Sequence, residues 1–195
     1  MSKRILVVLV ASAAAAIVAA PAGQAALACN GSLQPFAQFG DYNHYFAFAN
    51  NGFESGATGW KLANATVDSG NEPWFVNGAG SSSLSVGPGG SAASPKVCTA
   101  LNAPGWRMFA HSNGANGPLV AQIVFYGLLG NITGILNVAT FQPSGYGRWQ
   151  PSADVPSILS LPILTYAAQL RLTSTATSGT WQVDDVFVDP FGMQA

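Results

Sequence analysis

Apolar and polar side chains alternate along much of this chain with the period of two that belongs to β-strands. Ala168, Leu170 and Leu172 fall on one face of such a segment, with Gln169, Arg171 and Thr173 on the other. Residues 119–126 and 132–141 are rich in Val, Ile and aromatic side chains and flank Gly130-Asn131, which predicts a hairpin. Residues 106–111 and 181–189 predict two more strands, the second entered through a Ser178-Gly179 turn. Further strands are expected at residues 45–49, after Gly40-Asp41, and at residues 59–67. Residues 83–86 alternate too, until Gly87-Pro88-Gly89-Gly90 breaks the run. Gly70-Asn71-Glu72-Pro73 and Asn77-Gly78-Ala79-Gly80 read as turns on either side of Trp74-Phe75-Val76, and residues 146–150 lead into Pro151. Residues 157–166 are the exception. Leu, Ile and Ala there predict one or two helical turns, interrupted by Pro162. Short strands punctuated by Gly, Pro and Asn predict an all-β fold, an antiparallel β-sandwich in a single domain.

The first residues change the picture of where this fold lives. Lys3-Arg4 precedes an apolar, Ala-rich run that stops at Pro21, and small residues follow up to Ala28. That is the layout of a secretory signal peptide over residues 1–28, and the run is short of the roughly 20 apolar residues that span a bilayer. The expected location is secreted, extracellular. Cleavage leaves 167 of the 195 residues, enough for one domain with a sizeable core. It also leaves five basic residues against eight acidic ones, with no basic stripe in the sequence. Nucleic acid and anionic membranes are therefore not expected as partners. Charged residues make up only 8% of the chain. Low charge combined with high apolar content excludes intrinsic disorder.

Cys29 and Cys98 are the two cysteines, and in a secreted chain a disulfide between them is the expectation. It would close a loop of about 70 residues, worth roughly 4 kcal/mol in the loop-entropy treatment. Lipidation of Cys29, directly after Ala28, and two reduced thiols are the alternatives. Residues 29–49 form an aromatic-rich N-terminal segment, expected to pack on a domain spanning residues 50–195.

Three motifs carry a resemblance. Asn51-Gly52-Phe53-Glu54-Ser55-Gly56 with Gly59-Trp60, then Arg148-Trp149-Gln150, then Trp181-Gln182-Val183-Asp184-Asp185-Val186 stand in this order. Together they resemble the first, a later and the last strand of carbohydrate-binding-module-like jelly rolls of the galactose-binding-domain type. The chain also resembles uncharacterised secreted actinobacterial proteins with the same frame. The resemblance implies a jelly roll and a structural calcium ion held between first and last strands, by Glu54 and Asp185 with Asp184 as a further ligand. Two carboxylates brought together need a cation or a proton between them, and calcium would require six to eight oxygens, several from the main chain. The alternative is that Glu54 and Asp184 face water. The resemblance also implies polysaccharide or cell-envelope glycan as partner. Sugar faces stack on aromatic rings while neighbouring polar groups bind hydroxyls. Trp74, Trp106, Tyr126 and Tyr146 are the candidate ligand-binding residues, whereas Trp60, Trp149 and Trp181 are assigned to packing.

Catalytic signatures are missing. The sequence contains no Gly-x-Ser-x-Gly, no His-Glu-x-x-His and no phosphate loop, and His44 and His111 stand alone. The leading expectation is a non-catalytic secreted β-sandwich that binds carbohydrate. A structural or adhesive extracellular protein without glycan binding is the rival, and a hydrolase using Glu54 and Asp185 is the third class.

Overall fold

A computed structural model describes residues 31–98, 105–156 and 165–189. The expected signal peptide, Cys29 and residues 157–164 lie outside the described residues, as does the side chain of Cys98. The described chain is all-β and antiparallel, with two three-residue 3-10 turns at Ala37–Phe39 and Pro143–Gly145. Its strands are β1 (Phe46–Ala47), β2 (Lys61–Ser69), β3 (Ser82–Ala93), β4 (Val97–Cys98), β5 (Gly105–Asn113) and β6 (Leu119–Gly127). They continue as β7 (Ile132–Phe141), β8 (Gln150–Pro151), β9 (Val155–Pro156), β10 (Thr165–Ser174) and β11 (Thr180–Asp189).

The strands run in the order β7-β6-β10-β3-β11-β5-β8, with β2 beside β3. A bend in β3 turns this ribbon into a sandwich. Ser91, Ala92 and Ala93 pair with β10, whereas Leu84, Ser85 and Val86 pair with β11. Both halves of β3 also pair with β2, whose register jumps between Ala63 and Ala65. One layer is thus β7-β6-β10-β3-β2, and the other is β2-β3-β11-β5 with β8 and β9 at its edge. Gly87-Pro88-Gly89-Gly90 forms the bend, and Asn64 holds it by donating from Nδ2 to the Pro88 carbonyl at 2.7 Å. The glycine-rich stretch thus bends a continuous strand instead of ending it.

Inward side chains of the two layers fill one core. Leu62, Ala92, Leu172, Leu170, Ala121 and Ile123 come from the first, and Leu84, Val86, Met108, Ala110, Val183 and Val188 from the second. A second apolar cluster covers the outer face of the β11–β5 layer. There Phe36 and Tyr45 from the N-terminal segment pack on Phe109 and Phe187, flanked by Phe39, Trp74, Val76 and Trp149. Arg107 pins this segment by an ion pair with Asp41, which also accepts the Tyr45 hydroxyl at 2.6 Å. Burial pulls the Asp41 carboxyl up, but Tyr45, the Asn43 N–H and Arg107 together hold it below its usual value. Burial and Asp41 push the Tyr45 hydroxyl upward.

Candidate functional site

Among the described residues, the outer face of the β7-β6-β10-β3-β2 layer presents a row of exposed and half-exposed polar side chains. Directly opposed residues share a face of a sheet, and the pairings Lys61↔Ala93, Ala93↔Arg171, Arg171↔Gln122 and Gln122↔Asn137 line up one row across all five strands. Their sequence neighbours Leu62, Ala92, Leu172, Ala121 and Ile123 point into the core, so this row points outward. The row spans about 19 Å at 4.8 Å per strand gap. Its side chains are tied to each other. Arg171 Nε donates to Gln122 Oε1 at 2.8 Å, and Gln122 Nε2 donates to Asn137 Oδ1 at 2.6 Å.

In the next rows of the same face Ala167, Gln169 and Val124 are buried, and Tyr126, Ile132 and Ile135 carry what is exposed. Gln169 pairs with Val124 and Val124 with Ile135, while Ala167 pairs with Tyr126 and Tyr126 with Ile132. Tyr126 donates its hydroxyl to Gln169 Oε1 at 2.6 Å, and Gln169 Nε2 in turn donates to the Ser94 carbonyl. The Lys96 ammonium lies 3.6 Å from the centre of the Tyr126 ring. Ile132 and Ile135 are exposed beside it. An aromatic ring fixed at its hydroxyl, half-exposed, with amide groups alongside is a surface that can stack a sugar ring and bind its hydroxyls.

The other three candidate aromatics lie elsewhere. Trp106 is 1% exposed in the core, and its indole N–H has no hydrogen-bond partner among the described residues. Trp74 stacks on Phe109, with ring centres 5.2 Å apart, in the outer cluster of the opposite layer. Tyr146 is wedged between Phe141 and Trp181 at an open hollow of about 450 Å³, lined also by Val138, Thr140, Gln142 and Asp154. The four do not form one groove; only Tyr126 lies on this outer sheet face. Trp60 and Trp181 are core residues, and Trp149 is half-buried against His111.

The carboxylates gather at another place. β11 bulges between Asp184 and Phe187, with Asp185 at φ 47, so that consecutive residues Asp184 and Asp185 are both buried. Asp184 accepts the Asp185 N–H at 2.8 Å and the Glu72 N–H at 3.1 Å. Glu72 is fully buried and accepts the Trp74 and Val76 N–H groups at 2.5 and 2.7 Å. Asp185 meets Glu72 and Asn77, and the Asn77 amide donates on to Asn51 at 2.9 Å. Gly52 closes the wall, since a Cβ there would stand 2.6 Å from Asp185 Oδ1. Burial, then the neighbouring Asp185 charge, pushes Asp184 up to about 8. Burial, then the Glu72 charge, pushes Asp185 upward as well. Glu54 is exposed, and its carboxylate accepts the Ser81 and Ser82 N–H groups, each at 2.8 Å. Among the described residues, no group of three His, Cys, Asp or Glu side chains is placed to hold a metal ion, so a cation here would depend on main-chain and water oxygens as well. The carboxylate that touches Asp185 is therefore Glu72, a residue that the sequence marks only as part of a turn.

The first motif has its own local logic. Asn50 Nδ2 donates to the Gly56 and Thr58 carbonyls, its Oδ1 accepts the Ser55 N–H, and its carbonyl accepts the Trp60 indole. That knot buries Phe53 against Trp60, with ring centres 4.7 Å apart. The Asn51 carbonyl accepts the Val186 N–H at 3.0 Å, which joins the first motif to the last.

No protein-family profile matches the chain, and no curated protein sequence matches it. Solved structures do. The tandem CBM22-1–CBM22-2 domain of Paenibacillus barcinonensis Xyn10C aligns over 78% of this chain at 14% identity, with a TM-score of 0.55. The CBM22-1–GH10 modules of Clostridium thermocellum xylanase 10B align over 71% at 16% identity, with a TM-score of 0.51. The enzymatically active domain of the bacteriophage CBA120 tailspike protein 4 aligns over 72% at 13% identity, with a TM-score of 0.52. The shared feature is the jelly-roll fold. The chain spans 46%, 27% and 21% of these three chains.

Proposed function

We propose that this protein is a non-catalytic, secreted carbohydrate-binding module whose ligand lies across the outer face of the β7-β6-β10-β3-β2 layer. The observation that carries the reading is Tyr126, held by Gln169 on that outer sheet face beside the Arg171–Gln122–Asn137 row. The tandem module of Xyn10C, a carbohydrate-binding pair by its name, supports it through the common fold. So does the placement of acid groups. Glycoside cleavage uses two carboxyl groups flanking the bond, and none of the eight Asp and Glu residues lies in β6, β7 or β10. Secretion rests on the leader at residues 1–28.

A glycan microarray followed by affinity electrophoresis tests the reading. Tyr126→Ala is expected to weaken retention by about tenfold, given that a stacked aromatic is worth roughly 0.5–1.5 kcal/mol beyond its buried area. Silence across plant, fungal and bacterial polysaccharides would retire the proposal. A structural calcium ion belongs to the same reading, with Asp185 and Glu72 as the side chains that would hold it and main-chain or water oxygens completing its shell. EDTA should then lower the melting temperature and added calcium restore it; an unchanged melt removes the ion.

One observation favours the adhesive alternative. Leu128 and Leu129, at the tip of the β6–β7 hairpin, are 75% and 93% exposed. Adjacent apolar side chains this exposed suit a contact with another surface. Under that alternative, glycan arrays stay silent and Leu128→Ser with Leu129→Ser abolishes surface attachment.

A further inference from the structure

The chain is weakly acidic, with net charge −1, yet its cations are not spread evenly. Of the five basic residues beyond Arg4, Arg107 is paired with Asp41, and Arg148 follows the turn after Tyr146. The remaining three come together by strand register. Lys61 and Arg171 occupy the same five-strand row, separated by Ala93, and Lys96 sits over Tyr126 on the same face. They are far apart in sequence, and only the bend in β3 brings β2 and β10 into one layer. No carboxylate accompanies them. All eight acidic residues are elsewhere: Asp41 in the N-terminal segment, three in β11, Glu54 and Glu72 in the loops before and after β2, Asp154 in the β8–β9 link, and Asp68, which pairs with the half of β3 belonging to the other layer.

We infer that the ligand is an acidic polysaccharide, bearing carboxylate or sulfate groups, whose charges are met by Lys61, Lys96 and Arg171. The inference rests on the carbohydrate-binding reading and narrows it. A face that binds neutral sugars needs acceptors as well as donors for the hydroxyls, and carboxylates are the strong acceptors among side chains. This face has none. Lysine and arginine only donate, and the Gln122, Gln169 and Asn137 side-chain oxygens each already accept one bond, from Arg171, Tyr126 and Gln122. The surplus on the face is therefore positive charge with unused N–H donors. Arg171 spends Nε on Gln122, and its terminal nitrogens have no partner among the described residues. A guanidinium held by its Nε on a neighbouring amide presents its free edge in a fixed direction, the geometry that receives a carboxylate or sulfate in two parallel bonds. Tyr126 holds the Lys96 ammonium 3.6 Å from its ring centre and so fixes the position of that charge on the face.

The test compares matched polymers on the full chain by isothermal titration. Polygalacturonate is measured beside its carboxyl-reduced, neutral counterpart, and dextran sulfate beside dextran, with a single-stranded DNA oligonucleotide as a polyanion without exposed pyranose rings. Binding to polygalacturonate, dextran sulfate or both, at least about tenfold tighter than to the neutral partner, is the expected result. Which of the two binds tells carboxylate from sulfate. That preference should shrink in high salt and in Arg171→Gln and Lys61→Gln, both surface changes whose folding is checked by circular dichroism and melting. Equal affinity for a charged polymer and its neutral counterpart overturns the inference and leaves carbohydrate binding standing. Equal affinity for DNA overturns it too, because charge alone would then suffice. Binding to no glycan, charged or neutral, overturns both this inference and the reading on which it rests.

Discussion

Gly52 shows how tightly the carboxylate centre is built. Its Cα has no substituent to spare, because a Cβ would stand 2.6 Å from Asp185 Oδ1 and 3.1 Å from Asn77 Nδ2. Asp185 is buried, and the exposed Asn77 is tied to Asn51 by its amide, so the carboxylate does not yield easily. Gly52→Ala is expected to cost about 1–3 kcal/mol of stability, the range for forced overpacking, read as a lower urea midpoint. The same centre dictates a pH dependence. Asp184 and Asp185 have folded-state pKa values raised above the usual carboxylate value of 3.8, Asp184 to about 8. The folded state therefore binds protons that the unfolded chain has released, and stability falls as pH rises. For Asp184 the contribution is fully present below about pH 4 and gone once pH has passed about 8. Melting curves in metal-free buffer should show the temperature midpoint declining between those limits; a midpoint rising across pH 5 to 8 would contradict the assignment. Glu72 is the reason the sequence hides this centre. It stands in a Gly-Asn-Glu-Pro turn, 112 positions from Asp184, and nothing local marks it as a residue to be buried.

Strands were the most readable elements, because half-buried strands write their two faces into alternate residues. β10 is the clearest case, with Ala168, Leu170 and Leu172 in the core and Arg171 and Thr173 facing out. The β6–β7 hairpin is equally plain from its apolar runs around Gly130-Asn131. The bend in β3 was not readable, since Gly87-Pro88-Gly89-Gly90 looks like an end to pairing. It fails to end the strand because β2 follows the bend, using Asn64 at φ 46 as the extra hinge residue. Asparagine tolerates that left-handed conformation, and a β-branched residue does not. Asn64→Val should lose both the Pro88 hydrogen bond and the favourable backbone, at a cost of about 2 kcal/mol, whereas Asn64→Gly should lose mainly the bond. Similar losses for the two variants in thermal unfolding would show that backbone conformation is not the issue. The candidate binding face lies between these cases. Tyr126 was visible as an aromatic in a strand, but Lys61, Gln122, Asn137 and Arg171 become one row only through strand register, which periodicity alone cannot supply. Trp74, Trp106 and Tyr146 have the same composition signal as Tyr126, and packing sends each to a different place.

At the scale of the whole molecule, polar functions are kept apart. Buried carboxylates lie at the β11 bulge, an aromatic cluster under the N-terminal segment covers one layer, and Lys61, Lys96 and Arg171 lie on the outer face of the other. Separation of this kind lets that outer face carry positive charge in a chain whose net charge is −1. The β2–β3 hairpin has a consequence of a different sort. Because each of its strands runs through the elbow and contributes to both layers, neither layer can peel away while the other stays intact. Amide-exchange protection should therefore be matched at Leu84 and Leu172, one from each layer, and both should open only with global unfolding. A protease would find no half-open intermediate to attack, and the protein would persist in a degradative environment for as long as its single cooperative unit holds.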